Sequence, residues 1–391
     1  MTDNTATILI VDDSGVNIQL LRNVLRRYNI LDANNGPDAV RLSLSEPKPD
    51  LILLDVMMPG MDGYEVCRQI RHNEKTSDIP IVFVTGQTDP ESILNGFEAG
   101  AIDYISKPFN VVELKARVKT QLAIKMARDQ NRRLVRKIES INLKLTDSIR
   151  YAQKIQKASL PKAEFLTKLL PEHFILLKPL DIVSGDFYWA GEVDDHTVIA
   201  VADCTGHGVP GAIMSMFGIA FLHEIVGVKR EKTPAVIIEE LRRILIEFLQ
   251  QSEDSEVKDG MDISIISIDS RNCRIEYAGA FMSVYHIRNG TLTELRGDHM
   301  PVSYGEINRP FKNNMLQYQH GDQFYLLTDG YASQFGGPQG KKLKKSGLRR
   351  LLVELSHLSM QEQRKGFEAF FDNWKGAGEQ IDDVLMMGLK V

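Results

Sequence analysis

The sequence is poor in cysteine, and its three cysteines, Cys67, Cys204 and Cys273, lie far apart among 391 residues. An odd number of distant cysteines provides neither a disulfide framework nor a paired-thiolate metal site, so we expect reduced thiols. The longest apolar run, near 209–222, is shorter than the roughly 20 residues that span a bilayer, which argues against a membrane segment. The first residues lack the basic and apolar stretches of a secretory signal, so we expect a cytoplasmic protein.

Two signatures of other enzyme classes are also missing from the sequence. It contains neither a G-x-S-x-G nucleophile motif nor the glycine-rich phosphate loops of kinases and P-loop enzymes. Hydrophobic residues make up 43% of the chain and charged residues 25%, which is typical of a globular protein. The length predicts two or three domains, each with its own core.

Charge is unevenly distributed along the chain, although the formal net charge is only −5. Residues 1–112 and 158–391 each carry −7, whereas residues 115–157 carry 13 basic and 3 acidic side chains. A basic block can attract nucleic acid or membrane phosphate. This block has helical periodicity and no aromatic residue apart from Tyr151, which favours a solvated helix instead.

The first block of the chain alternates apolar runs with stretches of helical spacing. The runs are found at 8–11, 51–54 and 81–84, with weaker ones near Ile30 and at 102–105. Continuous apolar strands separated by helices predict an α/β domain with a doubly wound, five-stranded parallel sheet. Reactive residues should then lie at the carboxyl ends of its strands.

Polar residues follow these strands as expected. Asp12 and Asp13 follow the first run, Asp55 and Thr85 follow two others, and Lys107 follows the last. Three carboxylates at one sheet edge would repel one another, which implies a hard divalent cation such as Mg²⁺ among them. A phosphoryl group on Asp55 would share its charge with the metal, the Lys107 ammonium and the Thr85 hydroxyl.

This segment resembles the response-regulator receiver (CheY-like) family over about residues 6–122. The resemblance rests on VDD at 11–13, LLDVMMPGMDG at 53–63, VTG at 84–86 and SKP at 106–108. It implies that Asp55 is the phosphoacceptor. It also implies a Mg²⁺ site formed by Asp12, Asp13, Asp55 and the Met57 carbonyl. The residues that would respond to phosphorylation are Thr85, Tyr104 and Lys107.

The basic middle block shows the 3-4 apolar spacing of a coiled coil from Ile124 to Ile155, with no proline or glycine before Pro161. Asn131 falls at an a position of this seam, which favours a parallel dimer. As a helix, residues 115–157 would extend roughly 65 Å. The alternative is a monomeric amphipathic helix packed on a neighbouring domain, because small residues such as Ala127 make the seam thin.

The C-terminal block mixes strands with helices after Pro161 and predicts an α+β domain. Acidic residues recur at its strand ends beside small residues, in SGD, ADC, TDG and IDD. Carboxylates gathered without His or Cys partners select Mg²⁺ or Mn²⁺. Two such ions activate a water for in-line attack on a phosphoester, so hydrolysis is the predicted reaction.

The order of four motifs resembles the SpoIIE-like (RsbU-like) branch of metal-dependent, protein phosphatase 2C-like (PPM) serine/threonine phosphatases. The motifs are SGDFYW at 184–189, VADCTGHGVPGA at 201–212, LLTDGYASQFGG at 326–337 and DDVLMMGL at 382–389. The resemblance covers about residues 150–391 and implies a β-sandwich flanked by helices. It implies two Mn²⁺ or Mg²⁺ ions, held by the catalytic residues Asp186, Asp203, Asp329 and Asp382 together with the Cys204 carbonyl.

Three nearby residues are placed outside this ligand set. Asp383 is the alternative to Asp382. His207 is read as a helix-start residue, and Asp262 as structural or supporting, because neither matches a ligand position of the family.

The predicted organisation is a receiver domain at 1–122, a helical coiled-coil linker at 123–160 and a SpoIIE-like phosphatase domain at 161–391. It describes a two-component response regulator in which a histidine kinase or another phosphodonor modifies Asp55 and thereby controls a protein serine/threonine phosphatase. By resemblance, the substrate is a phosphorylated STAS-domain anti-sigma-factor antagonist in a partner-switching pathway. We expect a homodimer through the linker and no nucleic-acid or membrane partner. The alternative is a catalytically weak phosphatase fold that sequesters its partner.

Overall fold

The computed structural model describes residues 6–87, 89–255, 258–305 and 309–391. The chain forms two compact units, Met1–Asn142 and Leu143–Val391. Each unit has its own hydrophobic core, as the length predicts.

The first unit is built on a five-stranded parallel sheet in the order β2-β1-β3-β4-β5. This confirms the predicted α/β fold. Its strands are β1 Thr7–Val11, β2 Asn29–Ala33, β3 Leu51–Leu54, β4 Ile81–Thr85 and β5 Asp103–Ser106. Its helices are α1 Gly15–Val24, α2 Gly36–Ser43, α3 Gly63–His72, α4 Pro90–Glu98 and α5 Val111–Ser159, which extends beyond this unit.

The central strands of this sheet are apolar at every position because helices cover both faces. Leu9, Ile52 and Phe83 belong to one core with α3, while Ile8 and Leu53 belong to the other with α1 and the start of α5. Helices α2, α3 and α4 each begin with an Asn or Asp whose side chain accepts a hydrogen bond from the backbone, at Asn35, Asp62 and Asp89. These caps satisfy backbone donors that a helix start leaves unpaired.

Helix α5 is continuous for 49 residues, so the last receiver helix and the predicted linker are a single element. Its length corresponds to about 74 Å at 1.5 Å per residue. The apolar seam residues Leu134, Ile138, Ile141 and Leu145 are exposed, each by about half of its surface. The helical linker is confirmed, and its pairing with a second copy stays a prediction.

A network of ion pairs holds α5 beyond its apolar contacts in the first unit. Asp78, in the loop before β4, lies 2.8 Å from Lys48, 3.3 Å from Lys125 and 3.3 Å from Arg132. Lys125 also contacts Asp129 one turn further along α5, at 2.8 Å. Two cations of α5 therefore share one partly buried carboxylate.

The second unit contains two five-stranded antiparallel sheets, in the orders β13-β10-β9-β8-β7 and β12-β11-β14-β17-β6. Their strands are β6 His173–Lys178, β7 Phe187–Val193, β8 His196–Cys204, β9 Met261–Asp269, β10 Arg274–Ala280, β11 Val284–Arg288, β12 Thr291–Leu295, β13 Asn314–Gln317, β14 Gln323–Leu327 and β17 Val384–Lys390. A small hairpin is formed by β15 Phe335–Gly336 and β16 Lys341–Lys342.

Helices cover the outer faces of both sheets. They are α6 Ala163–Leu169, α7 Gly208–Leu222, α8 Pro234–Phe248, α9 Gly330–Ser333, α10 Lys344–Leu355 and α11 Met360–Lys375, and a π-helical segment at His223–Val228 continues α7. One core fills the space between the sheets, a second lies under α7 and α8, and a third lies under α10 and α11. The predicted β-sandwich flanked by helices is confirmed.

The helix that contains the apolar run near 209–222 is longer than the run itself, so the length of the run does not by itself exclude a membrane segment. Helix α7 and its π-helical continuation run together for 21 residues, Gly208–Val228, and pass a test of length and hydropathy for a membrane span. Half of this segment is buried inside the unit. Met214, Leu222 and Ile225 belong to the core that lies against the β13-β10-β9-β8-β7 sheet, as expected for the core helix of a folded domain.

Asp78 provides a test of how α5 is anchored. Burial alone raises its pKa, but the hydrogen bond and charge of Lys48, with those of Lys125, outweigh burial and hold the pKa at about 2. This stabilisation is present above pH 4 and is lost as the pH falls towards 2. We expect Asp78→Asn to remove about 1 kcal/mol from the free energy of local opening near Lys125. Amide hydrogen exchange at pH 7 checks it.

The matched control is Asp147→Asn, because Asp147 forms an exposed 3.8 Å pair with Arg150 on the same helix. Unchanged protection of residues 123–135 in Asp78→Asn would contradict the anchoring role.

Candidate functional sites

The first site lies at the carboxyl edge of the parallel sheet, where the sequence places it. The carboxylates of Asp12, Asp13 and Asp55 form a cluster whose ligand atoms lie within 4.8 Å of one another. Lys107 donates hydrogen bonds of 2.7 Å to both Asp12 and Asp55. Burial raises the pKa of Asp55, and the Lys107 hydrogen bond and charge oppose that effect. The oxygen donors present fit a hard divalent cation.

Three further residues predicted for this site, Thr85, Tyr104 and Met57, lie on the strands and loop next to the carboxylates. Thr85 ends β4 and is buried, and its hydroxyl accepts a hydrogen bond from the backbone of Gln87. Tyr104 lies on β5 next to Thr85's strand and meets the Phe97 ring edge-on at 6.4 Å between centroids. The Met57 backbone N–H faces an Asp55 oxygen at 3.4 Å, so this loop folds closely around Asp55. The structure thus brings the predicted receiver residues to one edge, and their roles stay predictions.

The second site is a ring of carboxylates in the second unit. Asp203 lies near the end of β8, directly opposite Asp262 on β9. Asp186 precedes β7, Asp329 follows β14, and Asp382 lies before β17. A cavity of about 240 Å³ is lined by Asp203, Cys204, Thr205, Gly206, His207, Asp262, Asp382 and Asp383. Asp186 and Asp329 do not belong to this lining, and they are linked to the group through their electrostatic interactions with Asp203.

The carboxylates of this ring raise one another's pKa values. Burial and then the charge of Asp203 raise the pKa of Asp186 well above its usual range. Burial, Asp329 and Asp382 raise the pKa of Asp203 to about 7. Burial and Asp329 raise the pKa of Asp262 to about 6. A set of desolvated, mutually repelling oxygen donors fits divalent cations, which would relieve the repulsion.

The two sites differ in how tightly the carboxylates are grouped. Among the described residues, only Asp12, Asp13 and Asp55 meet the 4.8 Å spacing for three ligand groups. The carboxylates of the second site are more widely spaced, and three of them, Asp203, Asp262 and Asp382, line its cavity together with Asp383.

Hydrogen bonds separate the roles of the adjacent residues Asp382 and Asp383. Both oxygens of Asp383 accept backbone hydrogen bonds of 2.7 Å, from Leu180 and Gly185. Asp383 is therefore committed to holding the loop that leads to Asp186. Asp382 is half-buried at the cavity, and one of its oxygens accepts only the backbone N–H of Asp383. The geometry supports Asp382 as the ligand.

The loops around the cavity approach one another so closely that side chains would not fit. A Cβ atom at Gly330 would lie 1.9 Å from the Asp383 carbonyl oxygen, and one at Gly185 would lie 2.7 Å from the Gly206 carbonyl oxygen. These glycines explain why the sequence pairs Asp with Gly at 185–186 and 329–330. Asp186 is further fixed by a 2.6 Å hydrogen bond from the Thr328 hydroxyl.

Cys204 and His207 both contact the cavity without being nucleophiles. Burial raises the pKa of the Cys204 thiol well above its usual range, so the thiol is protonated at neutral pH and is not an activated nucleophile. His207 is exposed, and its Nδ1 lies 2.9 Å from an Asp181 oxygen, whose hydrogen bond raises the pKa of the imidazole. His207 also stands at the N-cap of α7, in agreement with its predicted helix-start position.

One important contact has no signal in the sequence. Gln156, near the end of α5, is buried and donates hydrogen bonds to the Ser184 carbonyl at 2.6 Å and the Ser215 hydroxyl at 2.8 Å. Its side-chain oxygen accepts the Ser184 backbone N–H at 3.2 Å. Gln153 donates to the Ile182 carbonyl in the same loop. The end of α5 is thus bonded to the loop that carries Asp186.

Comparison with known proteins assigns families to both parts of the chain. A family model described as Response regulator receiver domain matches residues 8–119, and one described as Stage II sporulation protein E (SpoIIE) matches residues 193–391. The SiaA-PP2C domain of Pseudomonas aeruginosa has a similar structure, with a TM-score of 0.59 and 32% identity, over 64% of this chain and 98% of that chain. Asp186 lies before the residues matched by the second family model.

The curated relatives resemble a smaller part of the chain. A "Probable cyclic di-GMP phosphodiesterase" of Vibrio cholerae is 47% identical over 124 residues, which are 32% of this chain and 28% of that protein. "Transcriptional regulatory protein ResD" of Bacillus subtilis is 48% identical over 121 residues, 30% of this chain and 49% of that protein. The match spans between about a quarter and a half of the length of these relatives.

The carboxylate ring predicts opposite effects of Asp203→Asn on stability with and without metal. Because the pKa of Asp203 is raised to about 7, its ionisation destabilises the metal-free fold as the pH rises through that value. In chelator at pH 8, we expect the amide to raise the melting temperature by several degrees. With Mn²⁺ added, the parent protein should gain stability and the variant should gain much less.

Tryptophan fluorescence measures this effect, because Trp189 and Trp374 both lie in the second unit. The control is Asp254→Asn, at an exposed position away from the ring. Equal Mn²⁺ stabilisation of the parent and Asp203→Asn would contradict the assignment of Asp203 as a ligand.

Proposed function

This chain belongs to the SpoIIE family, and we propose that it is a two-component response regulator whose phosphorylation at Asp55 controls a metal-dependent protein serine/threonine phosphatase. The receiver domain and the PP2C-type domain support a phosphatase under response-regulator control. The observation that carries the enzymatic part is the group of desolvated, electrostatically coupled carboxylates, several of which line one cavity. No side chain at this cavity is an activated nucleophile among the described residues.

The residues of the ring would divide between two Mn²⁺ or Mg²⁺ ions. We assign as ligands Asp186, Asp203, the Cys204 carbonyl, Asp329 and Asp382. When bound, the ions would supply an activated water for in-line attack on the phosphate and would neutralise the leaving charge. The chain's own contribution is positional, because Thr328 fixes the Asp186 carboxylate and Asp383 fixes its loop.

In the receiver, the proposal assigns the phosphoryl group to an Asp55 oxygen. A phosphohistidine of a kinase, or a small phosphodonor, would lose its phosphoryl group to this carboxylate. Asp12, Asp13 and the Met57 carbonyl would hold Mg²⁺ beside it. Lys107 already contacts Asp55, so its ammonium is in place to neutralise the added charge.

The substrate and assembly follow from family resemblance and remain part of the proposal. We assign as substrate a phosphorylated STAS-domain anti-sigma-factor antagonist in a partner-switching pathway. The exposed apolar seam of α5 supports a homodimer through this helix. The proposed location is the cytoplasm, where kinases and antagonists of this kind are found together.

The central test is Mn²⁺-dependent phosphate release from a phosphoserine STAS protein, measured on the full chain with the receiver empty or loaded with beryllofluoride. We expect turnover that changes on loading. Asp329→Ala should lower the rate by at least about a thousandfold, because the metal supplies the chemistry. Asp55→Asn should keep turnover but abolish the response to beryllofluoride. Turnover that ignores loading would detach the receiver from catalysis, and no turnover in either state would contradict the phosphatase.

Gln156 provides a second test, because it is bonded to the loop of Asp186. We expect Gln156→Ala to lower phosphate release about tenfold and to raise the Mn²⁺ concentration needed for half-maximal activity, since the loss of a buried hydrogen-bonding group loosens the loop. Gln130→Ala, at an exposed position of the same helix, is the matched control. An unchanged Mn²⁺ midpoint in Gln156→Ala would show that α5 does not position the ligand.

A further inference from the structure

The segment after Asp329 is basic, although the domain around it is acidic. Residues 330–353 contain six Lys or Arg and no Asp or Glu. The remainder of 158–391 contains 19 basic and 32 acidic residues. A local excess of one charge within a domain of opposite charge is a feature of surfaces that attract a charged partner.

This basic segment forms the β15–β16 hairpin, whose base is fixed beside the candidate active site. Gln334 donates a 2.9 Å hydrogen bond to the Glu379 carbonyl, and its own carbonyl accepts one from the Trp374 indole at 3.1 Å. The backbone N–H of Gly337 donates to the Trp374 carbonyl at 2.7 Å. The one-turn helix α9 joins Asp329 to this hairpin, and Glu379 lies three residues before Asp382. The hairpin is therefore tied to both chain segments that carry these two carboxylates.

Four lysines at β16 and the start of α10 are exposed: Lys341, Lys342, Lys344 and Lys345. Across the described parts of the chain, no carboxylate lies within ion-pair distance of any of them. The ammonium of Lys342 lies over the Phe335 ring, 5.5 Å from its centroid. In contrast, Arg349, further along α10, is paired with Glu294. The four charges thus stand together without internal neutralisation.

The backbone holds this arrangement at a cost. Lys344 has a φ of +64°, a left-handed conformation that is unfavourable for a residue with a Cβ atom. The strain accompanies the burial of Leu343, whose N–H donates to the Gln334 carbonyl at 3.1 Å. Burying Leu343 turns the lysines on either side of it towards solvent.

We propose that Lys341, Lys342, Lys344 and Lys345, named here the lysine patch, dock an acidic surface of the phosphorylated protein substrate. The inference rests on the proposed phosphatase function and adds the class of substrate. The cavity is lined by carboxylates, so a phosphoprotein with an acidic surface gains long-range attraction from the patch and little from the site's own side chains. Nucleic acid fits less well, because its continuous phosphate backbone would also run across this acidic ring.

The test compares two phosphoserine peptides of equal length, one flanked by Asp and Glu and one flanked by Lys and Arg, with p-nitrophenyl phosphate as a substrate too small to reach the patch. The variant is Lys341→Glu/Lys342→Glu in the full chain with Mn²⁺. We expect kcat/KM for the acidic peptide to fall about tenfold or more, chiefly through KM, and to become less sensitive to salt. Hydrolysis of p-nitrophenyl phosphate should not change, and the basic peptide should be unaffected or improved.

The matched control is Lys162→Glu/Lys168→Glu, which makes the same change of charge at exposed positions around α6. Fluorescence anisotropy of the labelled acidic peptide measures docking separately from turnover. The proposal is overturned if the patch variant lowers kcat/KM and affinity for the acidic peptide no more than the control variant does, or if it lowers them equally for both peptides. A labelled DNA duplex is measured in the same anisotropy assay, and loss of duplex binding alone would also overturn the proposal. If the parent protein fails to hydrolyse p-nitrophenyl phosphate, the phosphatase function fails instead, and the anisotropy comparison still decides the docking surface.

Discussion

The repulsion between buried carboxylates is the constraint on which both candidate sites depend. Each site gathers oxygen anions that a folded chain would otherwise keep apart, because neither solvent nor a neighbouring side chain fully neutralises them. In the receiver, Lys107 bridges Asp12 and Asp55 and partly offsets the repulsion. In the phosphatase ring, the pKa values of Asp186, Asp203 and Asp262 are raised. The chain thus maintains a local instability that a divalent cation can relieve.

Such a ring persists because the surrounding backbone leaves its members no alternative position. The carboxylates of Asp186 and Asp383 are fixed by hydrogen bonds from Thr328 and from two backbone N–H groups. Gly330 allows the Asp329 turn to pack directly on the Asp383 carbonyl. The apolar sandwich beneath these loops supplies the stability that the charged ring removes, since the core between the sheets is closed by strands from both.

Much of the fold could be predicted from the sequence wherever the environment of a residue is determined by residues close to it in the chain. The receiver strands are continuous apolar runs because both faces are covered, and their final residues fall at one edge by geometry alone. In the second unit, the order of the motifs gave the ligand set only by family resemblance, and that set stays a prediction. The sequence could not separate the roles of the adjacent residues Asp382 and Asp383. The Asp383 carboxylate accepts a hydrogen bond from Leu180, about 200 residues earlier in the chain, whereas Asp382 accepts one from its neighbour Asp383. Gln156 was missed for the same reason, since its partner loop is defined only by folding. The apolar run ends at 222 because His223 and Glu224 follow it, whereas the helical backbone continues through these residues to Val228.

The continuity of α5 has a consequence for how this chain tolerates insertions. In an α-helix each residue advances the azimuth by about 100°, so one inserted residue in the exposed middle of α5 would rotate every later side chain out of phase. The hydrogen bonds of Gln156 to Ser184 would persist, because both residues lie in the second unit, but the angle about the helix axis between Lys125 and Gln156 would change. Seven inserted residues would nearly restore the phase, with a residual turn of about 20°. The number of residues between the two anchored ends of α5 therefore sets an angle about the helix axis as well as a distance along it.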